Sequence, residues 1–362
     1  AIRAAAERLL NCYDFPTPER VTLAKRLVES TPPHLKRAFF LTTGSEATES
    51  AIRVAKRHTG NFEIVSFYGG FHGRTYAAMS VGGLAGVKKQ FGPLMPGVIR
   101  VPYPYCYRCP LGLEKETCCI KCFDMMEAIV QSSSTGSLAG VIVEPYQGAS
   151  GFIFPPDGWL SKLEAWAREH EMVFILDEVQ SSYGRTGTMW AMEWEDLTPD
   201  MVCIGKGIGS GYPISALMAT DEVLTHIGKG EMSSTSGGNP VSCAAAHAVL
   251  DIFEEENLVE RGARLGAEMM ERLKAIQEKC PYLGDVRGRG MVMGMEFVKD
   301  RATKEPAPDI TVKVIDTAAR HGVLVGKVGV FANVIRVAPP LTLGETEMHE
   351  SLDIMEKVLT EL

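Results

Sequence analysis

The chain has 362 residues, 45% hydrophobic and 23% charged, with a net charge of -8 and a pI near 5.6. That length supports a large core and two domains, and the acidic balance, with no stretch rich in lysine and arginine, argues against nucleic acid and anionic membrane as partners. No run of about 18 apolar residues marks a membrane span, so the expectation is a cytoplasmic protein acting on small molecules.

The opening run, Ala1 to Leu10, is helical in pattern and lacks a signal peptide's apolar region and cleavage site. Because the first residue is not Met and the chain opens inside that helix, further sequence upstream is expected. Strand-like runs at 38–43, 63–67, 98–101, 140–144, 173–177, 201–205 and 214–218 then alternate with helical ones. Seven such runs predict an α/β fold built on a largely parallel, helix-covered sheet. From Pro240 a long helical stretch, 241–278, leads into strand-like runs at 291–298, 323–325 and 334–337 and helices at 309–320 and 345–361. This predicts a smaller α+β domain, with 1–20 as an N-terminal segment, 21–245 as the large domain and 246–362 as the small one.

Five of the nine cysteines cluster as Cys106-x-x-Cys109 and Cys118-Cys119-x-x-Cys122, in a stretch with the proline and charge of a surface loop. Paired C-x-x-C units can hold tetrahedral zinc, and a disulfide, a redox-labile loop or plain surface thiols are alternatives. The short separation and the doubled cysteine count against metal, and no metal is assigned. Cys12, Cys203, Cys243 and Cys280 read as buried small hydrophobes.

The chemistry begins at Lys206, in Met201-Val-Cys-Ile-Gly-Lys206-Gly-Ile-Gly-Ser-Gly, where an apolar run breaks into glycine as the amine appears. It follows Val173-Phe-Ile-Leu-Asp177-Glu-Val-Gln180, an apolar run ending in acid. Pyridoxal phosphate needs an amine to hold its aldehyde as a Schiff base and a carboxylate to keep its ring nitrogen protonated. Taken singly, a glycine-flanked lysine is more often a solvated turn, and such an acid is often an N-cap or a magnesium ligand. Nucleotide loops are excluded: Asp200 stands where a P-loop needs glycine, Gly207 where it needs a hydroxyl, and Ser210 breaks the G-x-G-x-x-G spacing.

Together with three further motifs, these segments resemble nearly end to end the class III aminotransferases, fold-type I pyridoxal-phosphate enzymes that act on 4-aminobutyrate, acetylornithine, ornithine or β-alanine. In Thr43-Gly44-Ser45-Glu46-Ala47 the resemblance assigns Gly44 and Ser45 to the cofactor phosphate, as a helix N-terminus suits an anion. In Gly70-Phe71-His72-Gly73-Arg74, Phe71 covers one ring face, His72 reads as structural beside the cofactor, and Arg74 resembles the arginine that grips a distal carboxylate. Asp177 is then the ring-nitrogen partner, Val179 the other face, Gln180 the bond to the phenolic oxygen, and Glu144 a supporting residue. Lys206 becomes both the attachment point and the proton carrier. Thr235, in Ser234-Thr235-Ser236-Gly237-Gly238-Asn239-Pro240, implies a homodimer in which it reaches the neighbouring subunit's cofactor.

One departure within these motifs bears on substrate. In Glu144-Pro-Tyr-Gln147-Gly148-Ala149, Ala149 replaces the glutamate that in aminobutyrate and ornithine enzymes neutralises the α-carboxylate arginine, here matched by Arg336. Ser236 also replaces an aromatic residue. The reaction implied moves an amino group from an ω-amino acid or alanine to pyruvate or 2-oxoglutarate. Racemisation, epimerisation and dialkylglycine-type decarboxylation are alternatives on the same scaffold.

Overall fold

The computed structural model describes residues 1–362. Seven strands form the main sheet: β1 (Arg37–Leu41), β2 (Glu63–Phe67), β3 (Val98–Val101), β4 (Leu138–Val143), β5 (Val173–Asp177), β6 (Met201–Ile204) and β7 (Ser215–Ala219). Their order is β1-β7-β6-β5-β4-β2-β3, and only β7 runs against the others. Every residue of β5 and β6 is buried. Strands covered on both faces have no solvent side to alternate toward, which is why these segments read as continuous apolar runs.

The two faces are packed differently. On one lie large aromatics, with Trp159 edge-on to Phe67 and Tyr103 at 5.3 and 5.2 Å between centroids. On the other, helix Gly44–Thr59 approaches closely through Ala47, Ala51 and Ala55, all fully buried. That helix starts at Gly44, inside the Thr43–Ala47 motif. Thr43 accepts from the Glu46 amide at 3.3 Å while the Glu46 carboxylate accepts from Thr43 N at 3.0 Å, a capping box that satisfies two otherwise open donors.

The second sheet contains β8 (Leu283–Arg289), β9 (Val292–Phe297), β10 (Gly326–Val328) and β11 (Val334–Val337) in the order β10-β11-β9-β8, all antiparallel. Its core begins at Leu258, whereas Cys243, Ala246 and Leu250 still pack into the core of the main sheet.

Several sequence expectations need correction. The 241–278 stretch is two helices, Pro240–Glu255 and Leu258–Lys279, broken at Asn257 (φ 48°). The acidic run Glu254–Glu256 faces the negative end of the first helix dipole, and Asn tolerates the left-handed conformation of the break. β8 escapes pattern reading because Leu-Gly-Asp-Val-Arg-Gly-Arg is a half-exposed edge strand. Conversely, Val323–Val325 is apolar without being a strand: Leu324 is 87% exposed, and the pairing starts at Gly326. At the start of the chain the helix covers only Ile2–Ala6.

Candidate functional site

The carboxyl ends of β1, β2, β4, β5 and β6 converge on one rim of the main sheet, where open α/β folds place their ligands. A cavity of about 330 Å³ opens there. Its walls carry Gly44 and Ser45 after β1, Phe71 and His72 after β2, Glu144 after β4, Asp177, Val179 and Gln180 from β5 onward, and Lys206 after β6. Arg336 of β11 and Ala149 reach it from the other side. The nine residues assigned to the cofactor between 44 and 206 thus share one enclosure with Ala149.

Asp177 is held on two sides. Its Oδ2 lies 2.7 Å from Nδ1 of His72, and its Oδ1 accepts from the Val179 amide at 3.1 Å. His72 is in turn fixed through its carbonyl, which accepts from Thr48 Oγ1 at 3.0 Å. Burial opposes charge on the His72 ring, but the hydrogen bond and charge of Asp177, with Glu144 nearby, hold its pKa above the ordinary value. Glu144 spans the same wall, accepting from Phe71 N at 2.8 Å and Gly148 N at 3.1 Å. Burial pushes its carboxyl up to about 7, with His72 pulling down and Asp177 pushing further up.

Lys206 stands at the opening of a short 3-10 turn with φ 43°. A left-handed lysine is a strained position, and such strain persists where the surroundings over-determine it. The next residue, Gly207, packs tightly: a side chain there would meet Tyr183, with its Cβ 2.9 Å and the ring's Cγ 3.2 Å away. Burial lowers the Lys206 pKa, Asp177 and Glu144 oppose that from a distance, and no hydrogen-bonded partner contributes.

Small residues set the cavity's width. A Cβ on Gly44 would stand 2.8 Å from Val179 Cγ1, and one on Gly148 would overlap the Gln180 amide. Gly73 (φ 137°) leaves room for Ser45, whose Oγ accepts from Arg74 N at 3.1 Å.

Two predicted residues lie outside the lining. Arg74 is exposed, its guanidinium 5.8 Å from the centroid of the Phe71 ring that does line the cavity. Thr235 is exposed in the loop before helix Pro240–Glu255, a loop that Arg20 clamps through the carbonyls of Gly237 (3.2 Å) and Gly238 (3.0 Å). Sequence reasoning missed Tyr146 and Phe152, which line the wall next to Ala149, and Val328 from the second sheet. It also missed the His72–Asp177 bond, which joins residues 105 positions apart.

That bond gives a testable expectation. His72→Phe leaves a buried carboxylate without its partner, and removing one member of such a pair costs about 3–5 kcal/mol. Because the folded pKa of His72 is raised, the stability carried by its protonated ring is complete below about 6.5 and fades as pH climbs through the raised value. The difference in Tm between wild type and His72→Phe should therefore narrow from pH 6 to pH 9. A constant gap would mean that the ring contributes by packing alone.

The family model described as aminotransferase class III matches residues 1–359. The chain is similar to a probable 4-aminobutyrate aminotransferase of Bacillus subtilis, 35% identical over 98% of this chain and 83% of that one. It is equally similar, at 35%, to a leucine/methionine racemase of Thermococcus litoralis, covering all of this chain and 82% of that one. Among solved structures, an (S)-enantioselective omega-transaminase from Thermomicrobium roseum superimposes with a TM-score of 0.93 at 32% identity, over 99% of this chain and 83% of that one. With the match running through both sheets and every motif of the cavity, this chain belongs to the class III aminotransferases, a family that depends on pyridoxal phosphate.

Proposed function

We propose that the cavity binds pyridoxal phosphate and that the chain uses it to move an amino group between an amino acid and a 2-oxo acid. The observation that carries this reading is an amine without a hydrogen-bonded partner, Lys206, open to the cavity and sharing it with a carboxylate, Asp177, fixed by His72 and a backbone amide. The shape suits a flat heterocycle: Phe71 and Val179 both face the space, and Gly44 lets Val179 pack against its backbone where a Cβ would clash. When bound, the cofactor supplies an electron sink for the substrate carbon that bears the nitrogen.

This chain's residues divide the remaining work. Lys206 Nζ would hold the cofactor and, when free, would carry the proton of the substrate carbon, and its lowered pKa favours the neutral, basic amine. Asp177 holds a proton at the ring nitrogen through its charge, and His72 positions that carboxylate. Gln180, pinned against Gly148, reaches the phenolic oxygen, and Glu144 supports the Phe71 and Gly148 backbone. Gly44 and Ser45, at the N-terminus of a 16-residue helix, receive the phosphate. Thr235 adds a hydroxyl to the phosphate of a neighbouring copy, a role supported by its exposure and its place outside its own cavity.

For substrate, Arg336 is the governing residue. Its guanidinium lies against Gly326, and it shares the cavity lining with Ala149, which offers no charge. An unpaired guanidinium attracts a carboxylate next to the reacting carbon, so alanine and pyruvate fit the site, and Arg74 at the rim serves a distal carboxylate. Both 4-aminobutyrate aminotransferases and racemases occur among the relatives; the open Arg336 favours exchange with 2-oxo acids. Ala149→Glu should pair Arg336 and raise the ratio of kcat/KM for 4-aminobutyrate over alanine, by a differential of ~1 to 3 kcal/mol. An unchanged ratio, or one shifted toward alanine, would remove position 149 from donor choice. Following the chirality of residual alanine together with keto-acid product separates transamination from racemisation.

A further inference from the structure

Away from the cavity, four thiols that the catalytic reading does not use gather on one loop. Cys106 and Cys109 flank a 3-10 turn, Cys118 ends the loop, and Cys122 sits in the first turn of helix Lys121–Ser133. All four line one small void of about 20 Å³, together with Tyr105, Lys115 and Ile120. They are close enough to oppose each other's ionisation: Cys109 and Cys118 act on Cys106, and all three act on Cys122, whose thiol burial has already pushed up. Burial holds the Cys106 thiol above its ordinary value, with Lys115 pulling the other way. Cys106, Cys109 and Cys118 are partly exposed and the neighbouring Cys119 is exposed, whereas Cys122, like Cys12, Cys203, Cys243 and Cys280, is buried. No three of these side chains converge as metal ligands do.

The same loop is tied to the wall of the cavity. The Tyr105 hydroxyl and the Arg108 guanidinium both donate to Glu296 on β9, which is fully buried. Glu296 accepts from Arg287 at 2.7 Å, and Arg287 donates onward to Gly151 O at 2.6 Å and Phe152 O at 2.9 Å. Phe152 lines the cavity. Tyr105 and Arg108, on either side of Cys106 in sequence, are thus joined through one carboxylate and one guanidinium to the backbone of a residue that lines the cavity.

We propose that Cys106, Cys109, Cys118 and Cys122 form an oxidisable dithiol site, closed by a disulfide between the 106–109 arm and the 118–122 arm, with a hydroperoxide as oxidant. A thiolate of one arm attacks the peroxide oxygen, the O–O bond breaks, and the sulfur becomes a sulfenic acid as the leaving oxygen departs as water. A thiol of the other arm attacks that sulfur, forming the S–S bond and releasing a second water. Two thiols lose two electrons and two protons, and hydrogen peroxide becomes two waters.

The test uses the full chain loaded with pyridoxal phosphate and treated with hydrogen peroxide. Expected are the loss of two thiols per chain, a non-reduced peptide joining the two arms, and a change in kcat/KM of roughly two- to thirtyfold. Dithiothreitol should reverse all three, and a Cys106→Ser/Cys109→Ser variant should lose the response while Cys280→Ser keeps it. The thiol count and peptide map do not depend on the catalytic reading, so the two can fail separately. Oxidation confined to other cysteines, a response that survives in the double variant, or as-isolated protein whose loop thiols are protected by stoichiometric zinc would overturn the proposal.

Discussion

Lys206→Ala is expected to lower kcat by on the order of 10⁴-fold, the upper range for removing a positioned acid–base group. The variant should still fold, because at the left-handed position 206 alanine meets the same backbone restriction as lysine. Cofactor uptake should persist through Ser45, Asp177 and Gln180, non-covalently and with faster release on dialysis. A small added amine should restore a fraction of the rate, because the cavity opened by truncation gives it the place of Lys206 Nζ. Retention of more than a tenth of wild-type kcat would show that another base serves the reaction.

Asp177→Asn separates attachment from catalysis. The amide side chain keeps an oxygen for the Val179 amide and stays within reach of His72, so geometry is preserved while charge is removed. Without that charge nothing in the wall holds a proton at the ring nitrogen, and preorganised electrostatic contacts of this kind are worth roughly 10²- to 10³-fold in kcat. The cofactor should remain covalently bound at Lys206, since attachment does not draw on the ring's electron sink. Near-normal kcat would mean that Asp177 is not the ring partner.

Much of this site is legible in sequence because each motif ends a buried strand. Asp177 and Lys206 stand out where five- and four-residue apolar runs stop, and burial on both sheet faces makes those runs continuous. The turn at Thr43–Glu46 is legible for a different reason, since a capping box has a fixed spacing. What stays hidden is tertiary. The hydrogen bond of His72 to Asp177 crosses 105 positions, and Tyr146, Phe152 and Val328 reach the cavity through packing between the two sheets, without a local pattern to mark them. Arg74 shows the opposite limit: its motif is clear, yet its side chain lies over Phe71 at the rim and not in the lining. In the second sheet the half-exposed β8 and the exposed Leu324 mislead pattern reading, because an edge strand need not alternate and a turn can carry apolar residues.

The most direct test of the account is chemical. Protein saturated with pyridoxal phosphate is reduced with borohydride, digested, and mapped for the peptide that carries the reduced cofactor. The prediction is a single modified peptide with the label on Lys206, absent when alanine or another amino donor is supplied in excess before reduction. Label on a different lysine, or none on any, would contradict the placement of the active site at the carboxyl ends of β5 and β6.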